Sequence, residues 1–265
     1  MSEEQKETMV IVEIEPPFAV LTLNRPEEKN TVSIELARQL FDGLCAAEDH
    51  GEVKCVIIAG AGKSFSVGAD VKGDFSKLTP EEARKYSMRG GQIFTYIERY
   101  SLPTIAAIHG FCLGGGTELS LCCDLRIAHP KAMMGQPEIK LGLLPGWGGS
   151  QRLAKVIGKG RAMEVVLTGE TIPAAKALEW GLINHVIDKG EDVVEAAKKY
   201  AQRFINYPRT ALSAAKRAVA VSSDLPVQSG ILYENDLFGM LCNTPGYAEG
   251  KGAYIENRKP DFKGM

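Results

Sequence analysis

Strong charge of one sign, paired cysteines and long apolar runs are all missing from this chain of 265 residues. Its 31 basic and 33 acidic residues nearly cancel to a formal charge of -2, so no overall field draws it to nucleic acid or to an anionic membrane. Only a local basic pocket is left open. The 6 cysteines, at positions 45, 55, 112, 122, 123 and 242, form no CxxC pair and no metal-finger spacing. Most lie in apolar runs and are expected to be reduced core thiols. No stretch reaches the roughly eighteen apolar residues needed to cross a bilayer, since TIAAIHGFCLGG is interrupted by His109 and glycines. The acidic start, MSEEQKETMVIVEIEPP, lacks the layout of a signal or transit peptide, and a cytoplasmic location is expected.

Two phosphate-binding signatures are absent as well. Neither GxxxxGKS nor GxGxxG occurs, which disfavours nucleotide hydrolysis and nicotinamide binding. His109, His129 and His185 have no second metal ligand or nucleophile beside them and are expected to be structural; no metal is expected. No period of 20 to 50 residues suggests a solenoid.

What is present is an alternation of strand and helix signals. β-Branched runs at 9 to 14 and 18 to 24, parted by Pro16-Pro17, predict a hairpin. Ser33 is placed to cap a helix with Leu36, Leu40, Phe41 and Leu44 on one face, and CVIIAG at 55 to 60 reads as a buried strand. After a glycine-bearing loop at 61 to 75, Thr79-Pro80-Glu81-Glu82 combines an N-cap, a first-turn proline and a capping-box glutamate. That helix is expected to run to about Tyr100. TIAAI after Pro103 and DLRIA at 124 to 128 are strands flanking an apolar helix that follows Gly114-Gly115-Gly116. From Lys159 onward the texture turns helical, with LINHVI at 182 to 187 the remaining strand signal. The expected class is α/β, a sheet covered by helices followed by a helical C-terminal part.

Three clusters carry unusual chemistry. In HGFCLGGGTELSLCCDLRIA, Glu118 sits just inside a helix that is otherwise apolar nearly all round, an expensive place for an idle carboxylate. A helix start favours negative charge, and glycines let backbone approach a ligand. The alternative is a packing turn and a solvated carboxylate. In GQPEIKLGLLPGWGGSQRL, Glu138 follows a proline in a turn, which by itself reads equally as surface, and a helix starts near Ser150. In GKSFSVGADVKGD, Ser66, Gly68 and Ala69 form a turn of small residues that is able to present N–H groups to a ligand, or simply to join a strand to a helix.

Together with LTLNRPEEKN and LTGETIPAAKALEWGLINHVI, these stretches resemble the crotonase, or enoyl-CoA hydratase/isomerase, superfamily, from about Val12 to Phe262. The resemblance implies a spiral of ββα units over residues 1 to 200 and a helical trimerisation region over 201 to 265, assembled as a homotrimer or a homohexamer. It also implies a CoA thioester as substrate and no separate cofactor. By position, Ala69 and Gly115 match the two N–H donors of the oxyanion hole, and Val67, Ala69, Asp70 and Val71 match the edge that receives the CoA adenine. Phe238 matches an aromatic that packs on CoA from a neighbouring subunit, although a core role fits it as well. The usual phosphate-binding lysine falls at Asn257, leaving Arg258 or Lys259 as substitutes.

Glu118 and Glu138 match both glutamates of the hydratases, which points to reversible syn addition of water to a 2-enoyl-CoA in fatty acid metabolism. Gly146 and Trp147 fall at the acyl pocket, where Trp147 replaces a smaller residue and suggests a short acyl chain; a ring that packs beneath the loop is the alternative. An isomerase relying chiefly on Glu138, a hydratase of a cyclic enoyl-CoA, an RNA-binding relative and a structural partner in a fatty-acid oxidation complex are the competing readings. The near-neutral charge disfavours RNA.

Overall fold

A computed structural model describes residues 7–73 and 77–265; the first acidic residues and the Asp74 end of the glycine-bearing loop lie outside them. The expected hairpin is β1 (Val10–Glu15) against β2 (Phe18–Leu23), paired antiparallel. Next comes α1 (Ile34–Asp49), started by Ser33, whose hydroxyl accepts the Leu36 N–H at 3.1 Å. It buries Leu36, Leu40 and Leu44, while Phe41 stays half-buried against Tyr96. Strand β3 (Cys55–Gly60) then joins β2 in parallel.

The capping box at Thr79 is present in full: its side chain accepts the Glu82 N–H and Glu82 accepts the Thr79 N–H at 2.8 Å. It opens α2 (Pro80–Glu98), which ends slightly before Tyr100. The chain then lays down β4 (Thr104–Ile108), β5 (Phe111–Leu113), α3 (Gly115–Cys122), β6 (Leu125–Ala128), β7 (Met133–Gly135) and α4 (Gly149–Ile157). Here the ββα spiral is visible in the pairing. β4 and β6 are parallel neighbours in a 6-stranded sheet ordered β1-β2-β3-β4-β6 and onward. β5 and β7 are parallel neighbours in a second, 3-stranded sheet. Ser66 bridges to Cys112 of β5 and Ala69 to Val32, so the turn containing β3 and α2 repeats the pattern with its middle strand reduced to isolated bridges.

After α5 (Lys159–Thr168) come β8 (Thr171–Pro173), α6 (Ala174–Glu179) and β9 (His185–Val186). β8 has no clear mark in the sequence. It completes the second sheet antiparallel to β7. LINHVI contributes only the two-residue β9, because just Ile127 and Ala128 offer it a partner strand.

Alternate residues of the large sheet face two cores, as the pleat requires. Val56, Ile58, Ala106 and Ile108 face α1, α2 and α3, whereas Ile57, Ile105 and Ile127 face α7 (Val193–Ala201). Both faces are covered, which is why these strands are apolar throughout rather than alternating. Ile57 and Ile105 are fully buried, and each contributes about 1.5–3 kcal/mol.

The chain ends in α8 (Arg209–Ala220), α9 (Val227–Leu241) and α10 (Pro245–Ile255). Lys216 anchors α8 to the core through Asp124 and the Leu102 carbonyl, both at 2.8 Å. Leu237 is the buried residue of α9, and Leu232, Phe238 and Met240 are exposed. Cys242 is exposed too, so it departs from the core position expected of it, whereas Cys55, Cys112, Cys122 and Cys123 are buried thiols.

Candidate active site

Two backbone edges meet at one cleft. After β3 the chain crosses Ser66 to Val71 and is clipped to the segment before α1: Val67 N–H donates to Lys29 O (3.1 Å) and Asp70 N–H to Val32 O (3.1 Å). Gly68 N–H donates to the Ser66 hydroxyl at 3.2 Å, and Val71 N–H to Ala69 O at 2.9 Å. The Ala69 N–H alone in this edge has no acceptor among the described residues. Gly68 has a φ of 104°, and a methyl group there would lie 2.9 Å from Leu113 O and 3.0 Å from Gly115 N. Glycine thus lets this edge lie directly against the start of α3. Gly115 is the first residue of that helix, so its N–H has no acceptor within it. A Cβ on Gly115 would lie 3.2 Å from Ala69 N, which places the two N–H groups side by side.

Glu118 lies one turn further into α3 and is 2 % exposed. Its Oε1 accepts the N–H groups of Trp147 at 2.7 Å and Gly149 at 2.8 Å, the second a donor freed by the start of α4. Burial raises its pKa above the ordinary carboxyl value; the two N–H bonds and the Arg152 charge oppose that rise without cancelling it. The solvated-carboxylate alternative is thereby removed.

Glu138 sits in the short 3-10 turn Pro137–Leu141 after β7 and is half-buried, not a surface turn residue. Burial pushes its pKa up to about 7, with the neighbouring Glu118 charge adding to the rise. The Gln136 amide, fully buried with its nitrogen turned to this carboxylate, donates to Oε1 at 2.8 Å and Oε2 at 3.1 Å.

These groups line a cleft of about 470 Å³ together with Val67, Val71, Gly146 and Trp147. Three of the residues singled out in the sequence do not join them. The Asp70 side chain turns away, pairing with Arg25 at 3.0 Å and accepting the Gly73 N–H at 2.9 Å. That N–H bond, with Arg25, holds its carboxyl below the usual range, so its side chain braces the loop instead of meeting a ligand. Phe238 is 69 % exposed and borders a different hollow with Tyr207, Leu212 and Phe262, which excludes a core role within one chain. Lys259 is exposed outside the cleft lining, and the adjacent Arg258 is engaged by Glu249 and Glu256, each at 2.6 Å.

Two further residues become visible only in three dimensions. Arg152 donates to Trp147 O at 2.8 Å and pairs with Glu98 of α2 at 2.8 Å, fixing the residue whose N–H holds Glu118. Gln136 fixes Glu138. Both lie in the stretch GQPEIKLGLLPGWGGSQRL, but their side chains are ordinary and nothing in the local pattern separates them from solvated residues.

A buried carboxyl, a second carboxyl titrating near neutrality and two adjacent N–H donors make a site for moving protons beside a carbonyl oxygen that gains charge. Among the described residues, no group of three or more His, Cys, Asp or Glu side chains is placed to hold a metal ion.

The family described as enoyl-CoA hydratase/isomerase matches residues 13–265. A crotonyl-CoA hydratase of Syntrophomonas wolfei is 37 % identical, covering 96 % of this chain and 97 % of its own. A short-chain-enoyl-CoA hydratase of Clostridium acetobutylicum is 36 % identical, covering 94 % and 95 %. Among solved structures, an enoyl-CoA hydratase from Geobacillus kaustophilus superposes with a TM-score of 0.92 at 32 % identity, covering 98 % of both chains.

Proposed function

We infer that this chain, which belongs to the enoyl-CoA hydratase/isomerase family, is an enoyl-CoA hydratase that adds water reversibly and syn across the double bond of a short-chain 2-enoyl-CoA. The observation that carries this reading is the convergence of Glu118 and Glu138 on the cleft where the Ala69 and Gly115 N–H groups lie side by side.

In the resting pair, Glu138 carries the proton and Glu118 is ionised. The thioester oxygen is received by the Ala69 and Gly115 N–H groups. Glu118 takes a proton from water as the water oxygen bonds to C3, and Glu138 gives its proton to C2. The negative charge on the thioester oxygen is held by the two N–H donors throughout, worth about 3–4 kcal/mol each by analogy with other oxyanion sites. Each turnover leaves the pair with one proton still, now on Glu118; its exchange with solvent and re-protonation of Glu138 restore the resting pair, and dehydration runs the same steps backwards.

The backbone of Val67, Ala69 and Val71 is the edge proposed for the adenine, with Asp70 stiffening it from behind through Arg25. Phe238 and Lys259 are not among the residues lining the cleft, and their proposed contact with CoA is made across a subunit boundary. The exposed Leu232, Phe238, Met240, Tyr254 and Ile255 of the helical region after residue 200 favour a trimer or a dimer of trimers. Residues before that point form the spiral core. No helix among the described residues is long and apolar enough to cross a membrane, and we propose a cytoplasmic enzyme of acyl-CoA metabolism that uses no separate cofactor.

The test is a side-by-side assay of hydration of crotonyl-CoA and of double-bond migration in a 3-enoyl-CoA. Hydration as the faster reaction supports the proposal. Rapid migration with no hydration overturns it in favour of an isomerase.

A further inference from the structure

Trp147 stands between two hollows. On one side is the catalytic cleft; on the other is a groove of about 420 Å³ bordered by Met88, Gly91, Gln92, Thr95 and Arg152. Gly146 and Trp147 are the residues that border both. Since Gly146 has no side chain, the indole is the partition.

The ring is held on every side. Phe94 meets it edge-on at 5.1 Å between centroids, and Tyr86 lies tilted against it at 5.6 Å. Gly90 of α2 makes room for its nitrogen edge, because a methyl group there would lie 2.2 Å from Nε1. Gly115 makes room for the opposite edge, where a methyl group would lie 2.7 Å from Cζ3. The backbone is clamped as well: the Ser87 hydroxyl donates to Gly146 O and Arg152 donates to Trp147 O. At 4 % exposure, with its two edges closed by Gly90 and Gly115, the indole is fixed in place between the two hollows.

The same residue touches the chemistry directly. Its N–H holds Glu118 Oε1, and its ring lies against Gly115, so the wall begins within one side chain of the atoms that receive C3 and the thioester oxygen. We propose that Trp147 is a fixed partition that limits the acyl group to short chains, and that the groove behind it becomes an acyl subsite once the ring is removed. The groove is apolar along Met88 and Gly91 and polar at Gln92, Thr95 and Arg152, so an alkyl tail entering it would follow the Met88 side.

This inference rests on the hydratase reading. Its test compares kcat/KM for crotonyl-, octenoyl- and decenoyl-CoA in the wild type and in Trp147→Phe, Trp147→Leu and Trp147→Ala. The wild type should strongly prefer crotonyl-CoA. The decenoyl-to-crotonyl ratio should rise by about tenfold or more in the Leu and Ala variants, on the scale set by fitting extra methylenes into an apolar pocket, and little in the Phe variant. Because the Ala variant is the one most exposed to loss of folding, Trp147→Leu combined with Met88→Trp supplies a second measurement. Filling the groove from its outer side should return the ratio towards the wild-type value. A wild type inactive on all three substrates defeats the hydratase reading itself. An active wild type without chain-length preference, or folded Leu and Ala variants with an unchanged ratio, overturns the partition alone.

Discussion

Glu118 Oε1 accepts the N–H of Trp147 at 2.7 Å, so the residue that walls the acyl end of the cleft also orients one of its two carboxylates. The link is reinforced from behind, because Arg152 binds the Trp147 carbonyl and is itself tied to Glu98 of α2. Position of the catalytic carboxylate, shape of the acyl pocket and packing of α2 on α4 therefore depend on one peptide segment.

Replacing Glu118 or Glu138 by Gln keeps the shape but removes a proton acceptor or donor. Each variant should lose about a hundredfold to ten-thousandfold in kcat for crotonyl-CoA hydration, measured by loss of enoyl-thioester absorbance. Near-wild-type turnover in either one contradicts the two-carboxylate mechanism.

The pH dependence follows from the shared proton. Burial raises Glu138 to about 7, so below that pH the proton is present, and above it the pair loses its only proton. kcat/KM should accordingly fall as pH rises through about 7. Since hydration consumes no net proton, the ratio of forward to reverse kcat/KM is independent of pH, and the dehydration profile should fall along the same limb. A kcat/KM that stays level or rises between about pH 6 and 8 would contradict a required proton on the pair.

The same shift has a consequence for stability. A carboxyl with a raised folded-state pKa supports the fold below its unfolded value, and that support is lost as pH rises through about 7, where the partly buried group must ionise. Glu138→Gln should therefore have a higher urea midpoint than the wild type at pH 8 and a smaller difference at pH 4. Equal differences at both values would show that Glu138 is not held at a raised pKa.

Removing the Ala69 donor tests the oxyanion site without touching a side chain. Ala69→Pro deletes the N–H and should cost about a hundredfold to a thousandfold in kcat. Ala69→Gly retains the donor and should remain much closer to wild type. Parallel circular dichroism spectra separate lost catalysis from lost structure.

Arg152 is a positioning residue, acting through the Trp147 peptide. Arg152→Leu should lower kcat by roughly tenfold or more with little change in KM, and should displace the pH profile because the charge that opposes the rise in the Glu118 pKa is gone. Arg152→Lys, which keeps the charge but not the forked geometry, should restore the profile more fully than the rate. Equal effects of Leu and Lys on the pH profile would reduce Arg152 to a packing residue.

Much of this architecture was legible along the chain. The cap at Thr79, the hairpin before Leu23 and the all-apolar strands at 55 to 60 and 104 to 108 rest on local codes, and they appear where those codes place them. Glu118 was legible for a related reason, since a carboxylate inside an apolar helix announces its own cost. β8 was not: Thr171–Pro173 has no strand pattern and pairs only because β7 presents an open edge. Neither was the diversion of Asp70 to Arg25, because the two are 45 residues apart in sequence.

The sequence by itself determined the elements, their caps and the set of residues able to do acid-base chemistry, because turn preferences, helix starts and apolar periodicity act over a few neighbouring residues. The tertiary structure decided which of those residues act together. A pKa near 7 for Glu138, two N–H groups side by side at Ala69 and Gly115, and an indole wedged between Gly90 and Gly115 each depend on distant segments brought into contact. Desolvation, charge and packing are sums over all neighbouring atoms, and those neighbours exist only after the chain has folded.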